Sequence, residues 1–154
     1  MQKIQIGDLF EISTPKGYAY FQYVYQKDAD SVEMIKVLPG LFAVRPNFSE
    51  LDILVSGKEL FFIFFPVGAA LRKKLISKVD HFSTYEFSPP KYMRSGYFIK
   101  DKFSWKLVDI ETLKRTPIEV LTPEIINLSP FECWNDTMLI EKLTEGWTLE
   151  QWVR

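Results

Sequence analysis

The chain has very little of the residue types that most often bind metals or act in nucleophilic catalysis. It contains one cysteine, Cys133, and one histidine, His81. A single cysteine excludes an internal disulfide bond, and two Cys or His side chains fall short of the roughly four ligands of a structural zinc site. Cys133 also lies outside any recognised nucleophile motif, so we expect no Cys–His dyad, no bound metal and no catalytic activity. Asp28 and Asp30 lack the glycine and the third oxygen ligand of a calcium loop, and we interpret them as part of a hairpin loop.

Glycine-rich phosphate loops and long apolar runs are missing as well. Neither a Gly-x-Gly-x-x-Gly nor a Gly-x-x-x-x-Gly-Lys-Ser/Thr element occurs among the 7 glycines, so nothing predicts nucleotide binding. The longest uncharged run, 60–71, has 12 residues, whereas a membrane span needs about 20. Met1-Gln2-Lys3 leads directly into the first predicted strand without the pattern of a signal peptide. We therefore expect no cofactor, no contact with a membrane and a cytoplasmic location.

Aromatic and other apolar residues are abundant, at 16% and 47% of the chain. Residues 9–14 and 18–25 alternate between two sets of side chains with a period of two, which is typical of paired strands. Thr14-Pro15-Lys16-Gly17 lies between them and predicts a turn, because Pro15 has a fixed φ and Gly17 accepts a positive φ. The chain is therefore predicted to open with a β-hairpin.

The remaining pattern predicts short strands followed by helices. Strands are predicted at Ser31–Leu38, Ser49–Val55 and Leu60–Phe65, with a second hairpin formed by Tyr97–Ile99 and Ser104–Ile110. Leu60–Phe65 is apolar throughout and is predicted to be a central strand buried on both faces. Pro66 is predicted to begin a short helix over Val67–Lys74.

The C-terminal part of the chain carries helix signals. Asn135 is a predicted cap for a helix that runs to about Glu145, with Trp134 and Leu139 as its hydrophobic staple. A second short helix is predicted after Thr148, with Gln151 at capping-box spacing and Trp147 stapled onto Trp152. We predict a single domain over residues 1–154 of the α+β class, with a mainly antiparallel, strongly curved or barrel-like sheet and short C-terminal helices.

The net charge of −1 conceals an uneven distribution of charge along the chain. Residues 72–108 contain nine Lys or Arg and three Asp or Glu, whereas residues 109–154 contain four and nine. The middle of the chain is therefore basic and its end is acidic. Such blocks are usually solvated faces, but each is also a candidate binding surface.

The first hairpin also carries a family resemblance. Gly7-Asp8-Leu9-Phe10-Glu11-Ile12, followed by Gly17-Tyr18-Ala19-Tyr20, resembles the opening of the immunity protein 26 family of bacterial polymorphic toxin systems. Weaker similarity extends through residues 60–78 and 85–93. The resemblance implies a small cytoplasmic protein that binds a cognate toxin domain and blocks it without catalysis. It further implies that six residues shape the hairpin as scaffold: Gly7, Asp8, Phe10, Tyr18, Ala19 and Tyr20.

The acidic tail is the predicted surface for the toxin. If the toxin is a cationic nuclease, acidic side chains would steer its association and cover its substrate site. Glu141 and Glu145 lie one turn apart on the predicted helix. The alternative interpretation is that these acids only form the water-exposed side of the helix and bind no partner. The predicted partner-binding residues are Glu132, Asp136, Glu141 and Glu145.

The basic middle segment supports a second hypothesis, a small module that binds single-stranded nucleic acid such as RNA. The segment mixes cations with aromatic rings, a combination that single strands favour. Its members are Arg72, Lys73, Lys74, Lys78, Lys91, Arg94, Lys100, Lys102 and Lys106, with Tyr85, Tyr92, Tyr97, Phe103 and Trp105. No RNP motif accompanies them, and aromatic residues of strands usually point into the core. We therefore place this hypothesis second.

Overall fold

The structure is a computed structural model that describes residues 3–84 and 87–153. Eight strands and four α-helices follow one another within these residues. In chain order they are β1 (Asp8–Thr14), β2 (Gly17–Tyr25), β3 (Met34–Val37), α1 (Phe48–Ser56), β4 (Phe61–Phe64), α2 (Val67–Arg72), β5 (Ser77–His81), β6 (Tyr92–Ile99), β7 (Lys102–Asp109), β8 (Arg115–Ile118), α3 (Pro123–Ile126) and α4 (Asp136–Thr144). A 3₁₀-helix at Leu149–Gln151 follows α4.

The strands form two antiparallel sheets. The first has five strands in the order β4-β3-β2-β1-β5, and the second has three in the order β6-β7-β8. The predicted α+β class, with mainly antiparallel pairing and short C-terminal helices, is confirmed. The described strands form two open sheets, so the strongly curved or barrel-like form is not confirmed.

The first hairpin has the predicted register, with Thr14 opposite Gly17 across the turn. Because side chains alternate along a strand, the five-stranded sheet has two differently covered faces. Phe10 and Phe21 lie on the face covered by α2 and α4, which we call the α4 face. Leu9 and Tyr20 lie on the opposite face, where they pack against α1, and we call it the α1 face.

Helix α1 occupies the place of a predicted strand at Ser49–Val55, so that prediction is wrong. Asn47 Oδ1 accepts a hydrogen bond from the Glu50 N–H at 2.9 Å, and Glu50 Oε1 accepts one from the Asn47 N–H at 3.0 Å. This capping box begins the helix. Leu51 is buried and Leu54 is partly buried against the sheet, so the apolar residues follow helical spacing and not strand alternation.

Strand β4 is buried on both faces as predicted, but it lies at the edge of the sheet and not in its centre. Residues 129–134 cover the side of β4 that faces away from β3. The Phe62 N–H donates to Ser129 Oγ at 2.8 Å, and the Trp134 N–H donates to the Phe64 carbonyl at 2.9 Å. The edge is therefore closed by its own chain, which protects it from pairing with another molecule.

The six predicted scaffold residues all lie at the first hairpin. Phe10 and Ala19 are fully buried on the α4 face, whereas Tyr18 and Tyr20 lie on the α1 face. Burial, together with the nearby Glu11 carboxylate, raises the pKa of Tyr20 to about 12. Gly7 immediately precedes β1, and Asp8 is the first residue of β1. Both residues connect the hairpin to β5.

Asp8 joins three parts of the chain around one buried carboxylate. Its Oδ1 lies 2.9 Å from His81 Nδ1 and 3.2 Å from Lys78 Nζ, and its Oδ2 accepts from the Gln5 N–H at 2.9 Å. Burial acts to raise the pKa of Asp8, but the hydrogen bonds from Gln5, His81 and Lys78 outweigh it and hold the pKa below its ordinary value of 3.8. The carboxylate therefore stabilises the contact between β1 and β5 in its ionised form.

We expect replacement of Asp8 by asparagine to lower the free energy of unfolding by about 1–3 kcal/mol at neutral pH. Because the folded-state pKa lies below the unfolded value of 3.8, the contribution of the carboxylate is complete above that value. It is lost as the pH falls through the folded-state pKa. Urea unfolding should show a difference between wild type and Asp8→Asn that narrows as the pH falls below 3.8. The exposed Asp101 gives the control Asp101→Asn, and a difference for Asp8→Asn that is constant with pH would contradict this account.

Candidate partner-binding groove

The structure does not bring the four predicted partner-binding residues onto one surface. Glu141 and Glu145 lie on the exposed side of α4, but Glu145 Oε1 pairs with Lys142 Nζ at 3.3 Å. Asp136 lies in the first turn of α4, about 140° around the helix from Glu141. Glu132 precedes α4, and its carboxylate accepts a hydrogen bond from Trp134 Nε1. The predicted acidic face of α4 is thus reduced to two residues, one of them in an ion pair.

Glu132 lies instead at the edge of a groove of about 390 Å³. We define this groove by an apolar floor and a rim. The floor is formed by Tyr25, Phe64, Ile110 and Phe131, and the rim by Lys27, Asp30, Val32, Leu113 and Glu132. Val32 and Leu113 are 38% and 46% exposed, which is high for apolar residues. The groove therefore presents apolar surface to solvent, with two carboxylates and the Lys27 ammonium group at its rim.

The floor of the groove is held in place by backbone pairing and ring contacts. The Phe64 N–H donates to the Glu132 carbonyl at 3.2 Å, and the Glu132 carboxylate accepts from Trp134 Nε1 at 2.8 Å. The rings of Phe64 and Phe131 meet edge to face at 5.5 Å, and the Arg115 guanidinium lies 5.3 Å from the Phe131 ring centre. These contacts within the chain hold the side chains of the floor in place.

The loop between β2 and β3 forms one wall of the groove and is fixed by its own hydrogen bonds. Gln26 Nε2 donates to the Ser31 carbonyl at 2.7 Å. Asp28 Oδ1 accepts from Ser31 Oγ at 2.9 Å and from the Asp30 N–H at 3.0 Å, and these bonds lower the pKa of Asp28. Asp28 is therefore engaged within the loop, as expected of a hairpin loop, while the neighbouring Asp30 is exposed at the rim.

Cys133 also lines the groove, and its surroundings favour the thiol over the thiolate. Cys133 is exposed, yet desolvation by the neighbouring side chains raises the pKa of its thiol, and the Glu33 carboxylate raises it further. Cys133 pairs with Phe64 beside β4, whereas His81 ends β5 at the opposite edge of the same sheet. The two residues are therefore separated by the width of the sheet.

An apolar floor with charged groups at its rim resembles the apolar core and polar rim of protein–protein interfaces. Comparison with protein-family models, curated proteins and solved structures gives no match to this chain. Within residues 3–84 and 87–153, none of the helices has the length and apolar character that a membrane crossing requires. The same residues contain no group of three or more His, Cys, Asp or Glu side chains arranged to hold a metal ion.

The basic segment 72–108 is divided by the fold between internal contacts and the surface. Lys78 is paired with Asp8, and Arg94 and Trp105 are buried. Lys91 and Lys106 lie over the rings of Tyr92 and Tyr97 at 5.3 and 4.7 Å. Tyr85, another member of the predicted set, lies outside the described residues. The described part of the segment therefore offers fewer cations and rings to a nucleic acid than its sequence suggests.

Sequence reasoning missed Val32, Leu113 and Phe131 as candidate binding residues. They are separated by many positions along the chain, and no local period connects them. Asp30 is predicted to lie in a loop, which is where it lies, but its place in the same groove as Glu132 depends on how β3 and residues 129–134 pack on β4. Only the tertiary structure brings the two carboxylates to one groove.

Proposed function

We propose that this protein is an immunity protein that binds a cognate toxin domain through the groove and neutralises it without catalysis. The observation that carries the proposal is the apolar floor of the groove, which ring and backbone contacts hold in place, with the carboxylates of Asp30 and Glu132 and the Lys27 ammonium group at its rim. The resemblance of the first hairpin to the immunity protein 26 family supports the same function. We propose the cytoplasm as its location, because an immunity protein of this kind protects the cell that produces the toxin.

The groove fits a partner that presents an apolar side chain flanked by lysine or arginine. The apolar side chain would pack on Phe64 and Phe131, and the cation would lie between Asp30 and Glu132. Apolar contact would supply most of the affinity, since a few well-buried side chains dominate protein interfaces. The rim charges would mainly increase the association rate, because charge complementarity acts during encounter.

Such binding would inhibit a nuclease toxin by occupying its cationic substrate site. The pocket that binds a phosphate backbone is lined by lysine and arginine, so an acidic rim competes for the same side chains. The protein then needs no chemistry of its own, only a fixed surface that the toxin cannot displace.

Co-expression tests the function directly. The C-terminal domain of a candidate toxin encoded next to this protein is expressed with and without it, and growth is followed. We expect rescue of growth and a complex that co-purifies. Continued killing by every adjacent toxin candidate, with this protein folded, would overturn the immunity function. Binding to oligonucleotides with a steep salt dependence would instead support the nucleic-acid hypothesis.

Charge reversal at the rim tests the groove. We expect Asp30→Lys to slow toxin association about tenfold at low salt, with the difference shrinking as salt screens the charges. Adding Val32→Lys should also accelerate dissociation, because it places a cation against the apolar floor. Both residues are exposed, and neither side chain supports the fold through a described hydrogen bond, so the variants should remain folded.

The double variant Glu141→Lys, Glu145→Lys is the matched control, since it makes a larger change of charge on the exposed side of α4. Surface plasmon resonance against the same toxin domain compares the association and dissociation rates of the rim variants with those of the α4 double variant. A slow association confined to the α4 variant would move the interface to that helix and overturn the assignment of the groove. Unchanged binding by both variants would overturn both surfaces.

A further inference from the structure

A second concave site lies on the α1 face and shares no lining residue with the groove. It is a cavity of about 580 Å³ between β2 and β3, helix α1 and residues 82–84 and 87. Small-molecule sites commonly enclose about 300–1,000 Å³, so this cavity has the size of one. Its lining is mixed, with buried polar groups at one end and apolar side chains at the other.

Lys36 supplies a buried cation to the cavity. Its side chain is part of a residue only 9% exposed, and Nζ donates one hydrogen bond, to the Val55 carbonyl at 2.8 Å. Since an ammonium group has three N–H donors, two remain to be used. Among residues 3–84 and 87–153, no carboxylate lies within ion-pair distance of Nζ. Burial lowers the pKa of Lys36, and the charge of Glu59 opposes this shift without forming an ion pair. Burying an ammonium group is costly, and an anion bound directly to Nζ would reduce that cost.

Gln22 lies opposite Lys36 in the register of β2 and β3, so the two side chains share one face. It is 2% exposed. Nε2 donates to the Gly7 carbonyl at 3.2 Å and to the Phe82 carbonyl at 3.0 Å, which uses both amide hydrogens. The atom that Gln22 can offer to a ligand is therefore its carbonyl oxygen. The polar end of the cavity therefore presents the positively charged N–H donors of Lys36 and one acceptor, the side-chain carbonyl oxygen of Gln22.

The other walls limit what can bind. Phe82, Phe87 and Val55 give apolar surface for a flat or branched group. Asp52 lines the same cavity, and its negative charge would repel a second negative charge on the ligand. Ser56 Oγ donates to the Asp52 carbonyl at 2.7 Å and so presents its lone pairs. A phosphate or a dicarboxylate is disfavoured, and a single carboxylate is favoured.

We propose that this cavity binds a small monocarboxylate with an N–H donor beside the carboxylate and an apolar side group, the chemistry of an N-acylated amino acid. The carboxylate lies on Lys36, the N–H donates to Gln22, and the side group packs on Phe82 and Phe87. The same chemistry is found at the C-terminal residue of a peptide. The site adds a small-molecule or peptide-terminus binding function to the protein and does not depend on its proposed partner.

An NMR titration of the full chain with N-acetyl-L-phenylalanine tests the proposal. We expect the backbone amide signals of residues that line the cavity to shift with a common dissociation constant. The primary amide of the same compound lacks the charge, and 3-phenylpropanoate lacks the N–H donor. Each should bind about tenfold or more weakly, because the amide loses the negative charge opposite Lys36 and 3-phenylpropanoate loses one hydrogen bond at a buried site.

Lys36→Met keeps the length of the apolar stem and removes the charge, so it should fold and bind about tenfold or more weakly. Lys58→Met, at an exposed lysine that does not line the cavity, is the control and should bind like wild type. The affinities of the acid, its amide and 3-phenylpropanoate for the wild-type protein test the same proposal without any variant. No shift at these residues with millimolar probe, or equal affinity for the acid and its amide, would overturn the proposal.

A short peptide that ends in phenylalanine distinguishes the two sources of the ligand. Affinity equal to that of the acetylated residue would assign the site to protein C-termini, and loss of affinity with the longer probe would assign it to a free acid. Both results support a carboxylate site on Lys36.

Discussion

Replacing Arg94 with methionine is expected to lower the free energy of unfolding by at least about 3 kcal/mol. The Arg94 side chain is fully buried in β6, and four backbone carbonyls accept its N–H groups. Nη2 donates to Leu149 at 2.8 Å and to Ile126 at 3.1 Å, Nε donates to Leu128 at 3.4 Å, and Nη1 donates to Trp152. Methionine would remove all four of these hydrogen bonds, although the Leu149 carbonyl would keep its bond from the Trp152 N–H at 3.1 Å.

The rings around Arg94 add to this effect. Its guanidinium carbon lies 4.7 Å from the ring centres of both Trp105 and Trp152, so the cation is held between two aromatic rings. Burial lowers the pKa of Arg94 to about 10, which leaves it protonated at neutral pH. The residue therefore connects the second sheet to the C-terminal segment through charge, hydrogen bonds and rings together.

Thermal unfolding measures the loss, and about 3 kcal/mol corresponds to a fall in Tm of roughly 6–12 °C for a chain of this size. Arg94→Lys should also destabilise, because a single ammonium group cannot reach four carbonyls. Lys102→Met, an exposed cation on the paired strand, is the control and should change stability by less than about 0.5 kcal/mol. Hydrogen exchange at residues 147–153 should accelerate in Arg94→Met. A wild-type Tm for this variant would contradict the role given to Arg94.

Replacing Gly7 with alanine is expected to cost about 2–5 kcal/mol, the sum of backbone strain and a steric clash. Gly7 has a φ of 106°, which alanine adopts only with strain. A Cβ at this position would lie 2.5 Å from the Phe82 carbonyl oxygen and 2.7 Å from His81 Cε1. The Phe82 backbone also donates to the Gly7 carbonyl at 2.9 Å, so it cannot move away without breaking that bond.

Two other glycines separate the causes. Gly146 has a φ of 70° and open space around a new Cβ, so Gly146→Ala should show the strain alone, about 1–2 kcal/mol. Gly57 has a φ of −86°, and its nearest contacts would be at 3.5 Å. Gly57→Ala should therefore be neutral or stabilise by up to about 1 kcal/mol. Urea unfolding of the three variants gives the ranking. If Gly7→Ala and Gly146→Ala lower the free energy of unfolding equally, the clash at Gly7 is relieved by movement of Phe82 and His81, and the predicted steric cost is wrong.

Features that depend on neighbours in the chain were predicted well. The first hairpin follows from alternation and from Pro15 and Gly17. Helix α4 begins where Asn135 predicted, since Asn135 Oδ1 accepts from the Met138 N–H at 2.8 Å. Helix α1 was missed although Asn47 and Glu50 have capping-box spacing, because the apolar residues after them were assigned to a strand.

The predicted contacts around the last short helix were wrong. Thr148 makes no side-chain cap, and the helix is a single 3₁₀ turn. Trp147 does not meet Trp152. It packs on Phe61 and Trp134 at 5.4 and 5.5 Å, while Trp152 packs on Trp105 at 4.8 Å. A local spacing rule cannot foresee that two nearby tryptophans belong to different parts of the core.

By itself, the sequence determined the α+β class, the first hairpin, the second hairpin and the cap of α4, because each of these depends on periodicity and capping over a few residues. The tertiary structure alone decided that β4 is an edge strand, that Arg94 is buried, and that Asp30 and Glu132 share a groove. It also placed Lys36 beside Gln22 in a cavity. These features depend on contacts between residues far apart in the chain, whose free energies are settled by packing and desolvation and leave no local pattern to read.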